Sequence, residues 1–124
     1  MTDLRSELIV RACNDAWQQS DWSTLADCFH PQAVLLPPDV GDPIVGRDQI
    51  LETYQEFMAA AQVTEFTVDD LVCFPFSATS MVHMRFTLDY RIADEAFTDS
   101  GLEVYAIDSS GPEARIVWRS QMIL

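Results

Sequence analysis

The chain has 124 residues, of which twenty are acidic and seven basic, giving a net charge of -13 at pH 7. That balance repels phosphate backbones and anionic head groups, so neither nucleic acid nor a membrane surface is an expected partner. With 48% apolar and 22% charged residues, the composition is that of an ordinary globular protein and excludes a disordered or fibrous one. The length fits a single domain, 1–124, that buries roughly two-thirds of its unfolded surface.

Cys13, Cys28 and Cys73 are odd in number, widely spaced and set among apolar residues. They predict buried thiols in a reducing compartment, with neither a disulfide framework nor a metal site. The N-terminal run Met1-Thr2-Asp3-Leu4-Arg5-Ser6-Glu7 carries both signs of charge and lacks the apolar centre of a signal peptide. The expected compartment is therefore the cytoplasm.

From Asp3 to Gln19, Leu4, Leu8, Ala12 and Ala16, flanked by Ile9, Cys13 and Trp17, recur at helical spacing. Thr2 is a candidate cap, and Asp3 suits the positive end of the helix dipole. A second, short helix is predicted to start at Ser20 or Asp21 and to run, with Trp22, Leu25, Ala26 and Phe29 on one face, to His30 before Pro31. Ala33 to Leu36, bounded by Pro31 and by Pro37-Pro38, reads as a brief buried strand. After a loop with Asp39, Gly41, Asp42 and Pro43, a third helix should run from Gly46 to about Gln62 with Ile50, Tyr54, Phe57, Met58 and Ala61 inward.

The remainder reads as four long antiparallel strands, at about Val63–Phe74, Ala78–Ile92, Ala96–Asp108 and Ala114–Ile123. The second has the clearest period: Val82, Met84, Phe86, Leu88, Tyr90 and Ile92 alternate with Met81, His83, Arg85, Thr87, Asp89 and Arg91. Strands this long with one apolar face must twist and curl round something, and the three helices are the only candidates. The expected class is α+β: a cone-shaped, curved antiparallel sheet of four long strands and one short strand wrapped around three N-terminal helices.

This order, with Trp17 and Ser20-Asp21, Phe29-His30-Pro31-Gln32-Ala33-Val34-Leu35-Leu36-Pro37-Pro38, Ile44-Val45-Gly46-Arg47-Asp48-Gln49-Ile50 and Arg115-Ile116-Val117-Trp118-Arg119, resembles the nuclear transport factor 2-like superfamily. The resemblance is closest to its small bacterial polyketide cyclase-like and ketosteroid isomerase-like members. It implies a half-barrel with a mostly apolar pocket, and a homodimer formed through the outer sheet faces. Function is not implied, because the superfamily hosts isomerases, cyclases, dehydratases, hydrolases and proteins without chemistry. In the isomerase-like group a strand carboxylate moves the proton while a helix tyrosine and a protonated acid hold the enolate oxygen. This chain departs from that pattern: the base position falls at Pro37, the tyrosine at Cys13 and the later acid near Ser100.

On the residues alone, Glu103, Tyr105, Arg119 and Gln121 on the last two strands are the polar candidates for the pocket. Their alternative is a cross-strand ion pair on a sheet surface. Asp70 shares the alternation of Phe66, Val68, Val72 and Phe74 and is a weaker candidate, since adjacent Asp69-Asp70 predicts a β-bulge that returns it to solvent. His30 and His83 lack a partner at metal-binding or catalytic spacing, Asp21 reads as a cap, and Asp39 and Asp42 as turn formers. The expected pocket lining is Trp17, Leu35, Pro37, Tyr54, Phe57, Met58, Phe86 and Tyr90. No phosphate loop, dinucleotide fingerprint or nucleophile elbow occurs, and no cofactor is expected. The inward aromatic set in the expected cone points to a small apolar or weakly polar ligand. The competing reading is a non-catalytic association module whose outer sheet face, with Met81, His83, Arg85 and Arg91, binds another chain.

Overall fold

The computed structural model describes residues 4–38 and 41–124. Thr2, Asp3 and Asp39, named above as caps and a turn former, lie outside them. The helices are α1 (Leu4–Gln18), α2 (Trp22–Cys28) and α3 (Arg47–Ala60). The strands are β1 (Phe29–Leu36), β2 (Ile44–Val45), β3 (Ala61–Pro75), β4 (Thr79–Ile92), β5 (Glu95–Asp108) and β6 (Arg115–Ile123). Among the described residues, no helix is long and apolar enough to cross a membrane.

All six strands form one sheet in the order β2-β1-β6-β5-β4-β3. The four long strands make the antiparallel meander that their alternation predicts, but β1 pairs parallel with β6, so the sheet is mixed and not purely antiparallel. A single short strand was the expectation; there are two, since Ile44–Val45 folds back on Val34 and Leu35.

The α2–β1 boundary also differs. The helix stops at Cys28, and Phe29 is already extended and paired with Ile116. The residue before a proline resists helical geometry, and here that bias reaches back beyond His30 because the fully buried Phe29 packs against Tyr54. Pro31, which has no N–H to give a ladder, falls where the β1–β6 register shifts. Of the two candidate caps for α2, Asp21 takes the role: its carboxylate accepts from the Thr24 N–H at 3.2 Å and from the Thr24 hydroxyl at 2.7 Å. At the start of α3, Gly46 has φ +97°, a conformation that L side chains rarely adopt, and donates its N–H to Ala33 O.

Helix α1 is rotated from its expected orientation. Leu4 and Leu8 are exposed at 57% and 63%, while Ser6, Val10, Cys13, Asn14, Ala16 and Trp17 are buried. The reason is Asn14, a polar side chain that reaches the core because it finds partners there: Nδ2 donates to Val10 O and to the Tyr105 hydroxyl, and Oδ1 accepts from Trp17 Nε1 at 3.0 Å. The core thus lies between the helices and the concave sheet face, with Val82, Met84, Phe86, Tyr105, Ile107 and Ile116 fully or almost fully buried.

Candidate functional site

Alternation along β5 puts Asp99, Gly101, Glu103, Tyr105 and Ile107 on the concave face, and cross-strand pairing sets them beside Leu88, Phe86, Met84, Val82 and Ser80 of β4. On β6, a register shift between Ala106 and Ile107 re-aims the strand so that Arg119 and Gln121 also face inward, opposite Tyr105 and Glu103. Two strands therefore deliver four polar side chains to the floor of an otherwise apolar cone.

Glu103 is the hub. Its Oε1 accepts from Arg119 Nη2 at 2.8 Å and from Gln121 Nε2 at 3.1 Å, and its Oε2 accepts from Arg119 Nε at 3.1 Å and from the Tyr105 hydroxyl. A two-pronged guanidinium–carboxylate pair is the strong form of this contact, and both side chains are almost fully enclosed. Arg119 also lies over the Tyr54 ring, 5.3 Å from its centroid, and Tyr54 O–H and the Cys13 thiol are 4.0 Å apart. The chain of bonds continues from Tyr105 through Asn14 to Trp17, joining the floor to α1.

The electrostatics follow from this enclosure. Burial works against the Arg119 charge, but Glu103 outweighs it and holds the guanidinium well above its ordinary value. Tyr105 is pushed well above its ordinary value by burial and then by Glu103, and Tyr54 is raised by burial. Both phenols stay protonated, and Tyr105 donates to Glu103. Burial likewise raises the Cys13 thiol, which makes it inert as a nucleophile. Among the described residues, Arg119 Nη1 has no protein hydrogen bond, so the guanidinium retains donors for a guest.

Above this floor is a cavity of about 290 Å³, walled by Trp17, Leu35, Tyr54, Phe57, Phe66, Phe86 and Leu88. Glu103, Arg119 and Gln121 border it at the floor, and Pro38, Thr53, Asp99 and Ile123 complete the lining. The aromatic rings brace one another: Trp17 meets Phe66 and Phe57 edge-on at 5.2 and 6.5 Å, and Phe66 stacks on Phe86 at 6.0 Å.

Of the expected lining residues, Trp17, Leu35, Tyr54, Phe57 and Phe86 border the cavity, and Pro37, Met58 and Tyr90 do not. Tyr90 is held beside it by ring contacts with Phe57 and Phe97, both at 5.4 Å. Tyr105 lies beneath the floor, fully buried, and acts through Glu103. Asp70 is exposed opposite Arg85, next to a register shift between Val68 and Asp70, the bulge that the adjacent aspartates predict. His83 is on the outer sheet face against Phe74, and His30 lies in β1, not at a helix end, with Nδ1 accepting from Gln32 N–H.

Asp99 was missed. Ser100 itself pairs with Thr87 on the convex face, whereas its neighbour Asp99 lines the cavity and accepts from the Tyr90 hydroxyl at 2.9 Å. Counting back from Glu103 in steps of two reaches it, so the signal was present in the alternation.

Residues 10–118 match the family model of the SnoaL-like domain. The chain belongs to that family. The SnoaL-like domain also has close structural counterparts. A ketosteroid isomerase-like protein from Erwinia carotovora atroseptica superposes with a TM-score of 0.81 at 12% identity, covering 100% of this chain and 98% of the other. A nuclear transport factor 2-like protein from Cytophaga hutchinsonii gives 0.81 at 12% identity, with 100% of both chains covered. The beta subunit of the benzoate 1,2-dioxygenase from Burkholderia mallei gives 0.76 at 16% identity, covering 100% and 92%. No curated protein matches the chain significantly. At such identities the structures establish a nuclear transport factor 2-like fold and no activity.

Proposed function

We propose that this SnoaL-like domain holds a small, mostly apolar molecule in its cone, and that it is a candidate for cofactor-free isomerisation, cyclisation or dehydration without the proline-displaced isomerase base. One observation carries the reading. An aromatic cavity of about 290 Å³ closes on a satisfied Glu103–Arg119–Gln121 cluster whose guanidinium still has donors to offer. Pockets that bind small molecules combine an apolar wall with a few fixed polar groups in this way, and this one is at the small end of their range, which favours a compact guest. Arg119 and Gln121 would orient an acceptor oxygen; Glu103, saturated by four donors, and Tyr105 beneath it serve as positioning residues.

The test is incubation of the purified protein with a metabolite extract, followed by native mass spectrometry. Retained compounds are expected with the native chain and are expected to be lost in Thr53→Phe, which fills the cavity from α3. Retention of nothing by the native chain overturns the reading.

A second observation supports the homodimer through the outer sheet faces that the resemblance implies, and it does not involve the His83, Arg85 and Arg91 of the association reading. Cross-strand partners Phe74, Met81, Ala106, Trp118, Val34 and Val45 form a transverse apolar row on the convex face that touches all six strands. Within it Phe74, Trp118 and Val45 are exposed at 43%, 39% and 59%. A row of this kind favours a homodimer through the outer sheet faces, and it leaves the cavity open from the other side of the sheet.

A further inference from the structure

The cavity is polar at two ends, and only the floor is used in the binding reading above. On β5 the inward positions run Asp99, Gly101, Glu103, so the two carboxylate-bearing residues are separated by about 13 Å along the strand. Between them Gly101 offers no side chain: a Cβ there would lie 2.2 Å from Met122 O and 3.0 Å from the Phe86 ring. The Met122 backbone and the Phe86 ring already fill that position, so a side chain there has no room, while Phe86 and Phe66 wall the cavity between the two polar ends.

The charges at the two ends are not alike. At the floor the guanidinium is already matched by Glu103 through both Nε and Nη2, so the floor is neutral and presents N–H donors. At the other end Asp99 is half-buried and accepts one hydrogen bond, from Tyr90, on Oδ2. Among the described residues Oδ1 has no partner and no cation pairs with the carboxylate. Of the charged groups in the lining, one guanidinium faces two carboxylates, in a protein of net charge -13. A guest bearing a carboxylate would bring a third negative charge into an enclosure with a single positive one, and interactions there are screened less than in water. An uncharged guest meets no such cost.

We propose, on the basis of the binding reading, that the cavity selects a compact neutral molecule with a hydrogen-bond acceptor at one end, such as a ketone carbonyl set against Arg119 and Gln121, and a hydroxyl at the other, donating to Asp99. Asp99 is the residue that refuses carboxylates. Tyr90 orients it through one oxygen and leaves the second for the guest.

The probes are four: para-hydroxybenzylacetone, which has both groups; para-hydroxyphenylpropanoate, in which a carboxylate replaces the ketone; benzylacetone, which lacks the hydroxyl; and toluene, which reports the cavity alone. Affinities are measured by isothermal titration and by protein chemical shifts. The hydroxyketone should bind about tenfold more tightly than either the carboxylate or benzylacetone, the scale of one charge or one charge-assisted hydrogen bond in a partly enclosed site. In Asp99→Asn the carboxylate should gain about tenfold and the hydroxyketone should lose several-fold, since an amide keeps the shape but not the charge. A carboxylate that binds the native protein as tightly as the hydroxyketone overturns the proposal, as does an Asp99→Asn variant with unchanged preferences. If toluene binds and the three polar probes do not, this proposal fails while the binding reading stands; if nothing binds, both fail. The comparison among probes on the native protein needs no variant to fold.

Discussion

At the scale of single residues, the buried Glu103–Arg119 pair is the feature on which most depends. Removing one partner leaves the other charge enclosed and unpaired, so Glu103→Ala should cost about 3–5 kcal/mol in urea unfolding. Replacing both, as in Glu103→Leu with Arg119→Met, should recover most of that loss, because an apolar pair of similar size has no charge to desolvate. Gly101→Ala should cost about 1–3 kcal/mol by the same measurement, since the new Cβ meets the backbone oxygen of Met122 and not a movable side-chain end. The raised phenols set the alkaline limit. A group whose proton is held more tightly in the folded than in the unfolded chain adds stability that is complete at lower pH and is lost as the unfolded form starts to ionise. Tyr54 and Tyr105, raised by burial, and Cys28, pushed up by burial to about 11, all have this sign. The denaturation midpoint should therefore be level near neutrality and fall from the thiol range through about pH 10, where unfolded tyrosine ionises. Tyr105→Phe should flatten the upper part of that fall.

At the scale of elements, α1 offers the sharpest contrast between pattern and packing. Its apolar spacing pointed to Leu4 and Leu8, yet both face solvent and Asn14 faces the sheet. Leu8→Ser should change stability by less than about 0.5 kcal/mol, whereas Asn14→Ala should cost about 1–3 kcal/mol because Trp17 Nε1 loses its acceptor in a dry site. Guanidinium unfolding followed by tryptophan fluorescence compares the two. The strands were far more legible than the helix face. An alternation of two residues fixes which side is apolar, so Val82, Met84, Phe86 and Leu88 could be assigned inward from the sequence, and the paired aspartates at 69 and 70 announced a bulge. A helix permits its buried stripe to rotate whenever a polar residue finds a partner inside, and that partner, Tyr105, is ninety-one positions away.

At the scale of the whole molecule, the convex apolar row makes a prediction about assembly. Trp118→Glu should convert a dimer to a monomer in light scattering, because it sets a carboxylate into the middle of the row opposite Ala106 and Val34. Leu8→Glu, on an exposed helix face remote from the row, should leave the oligomeric state unchanged.

The sequence by itself determined the three helices, the four long strands with their alternation, and the apolar character of the interior, because these follow from local period and proline geometry; it left Glu103 open between the pocket and a sheet-surface ion pair. Only the tertiary structure decided that β1 runs parallel to β6, that the β6 irregularity re-aims Arg119 onto Glu103, and that Asp99 and not Ser100 borders the cavity. The physical reason is that register between distant strands is set by the packing of whole faces. A shift of one residue exchanges the inside for the outside, and no local preference in the chain records which shift the packed core selects.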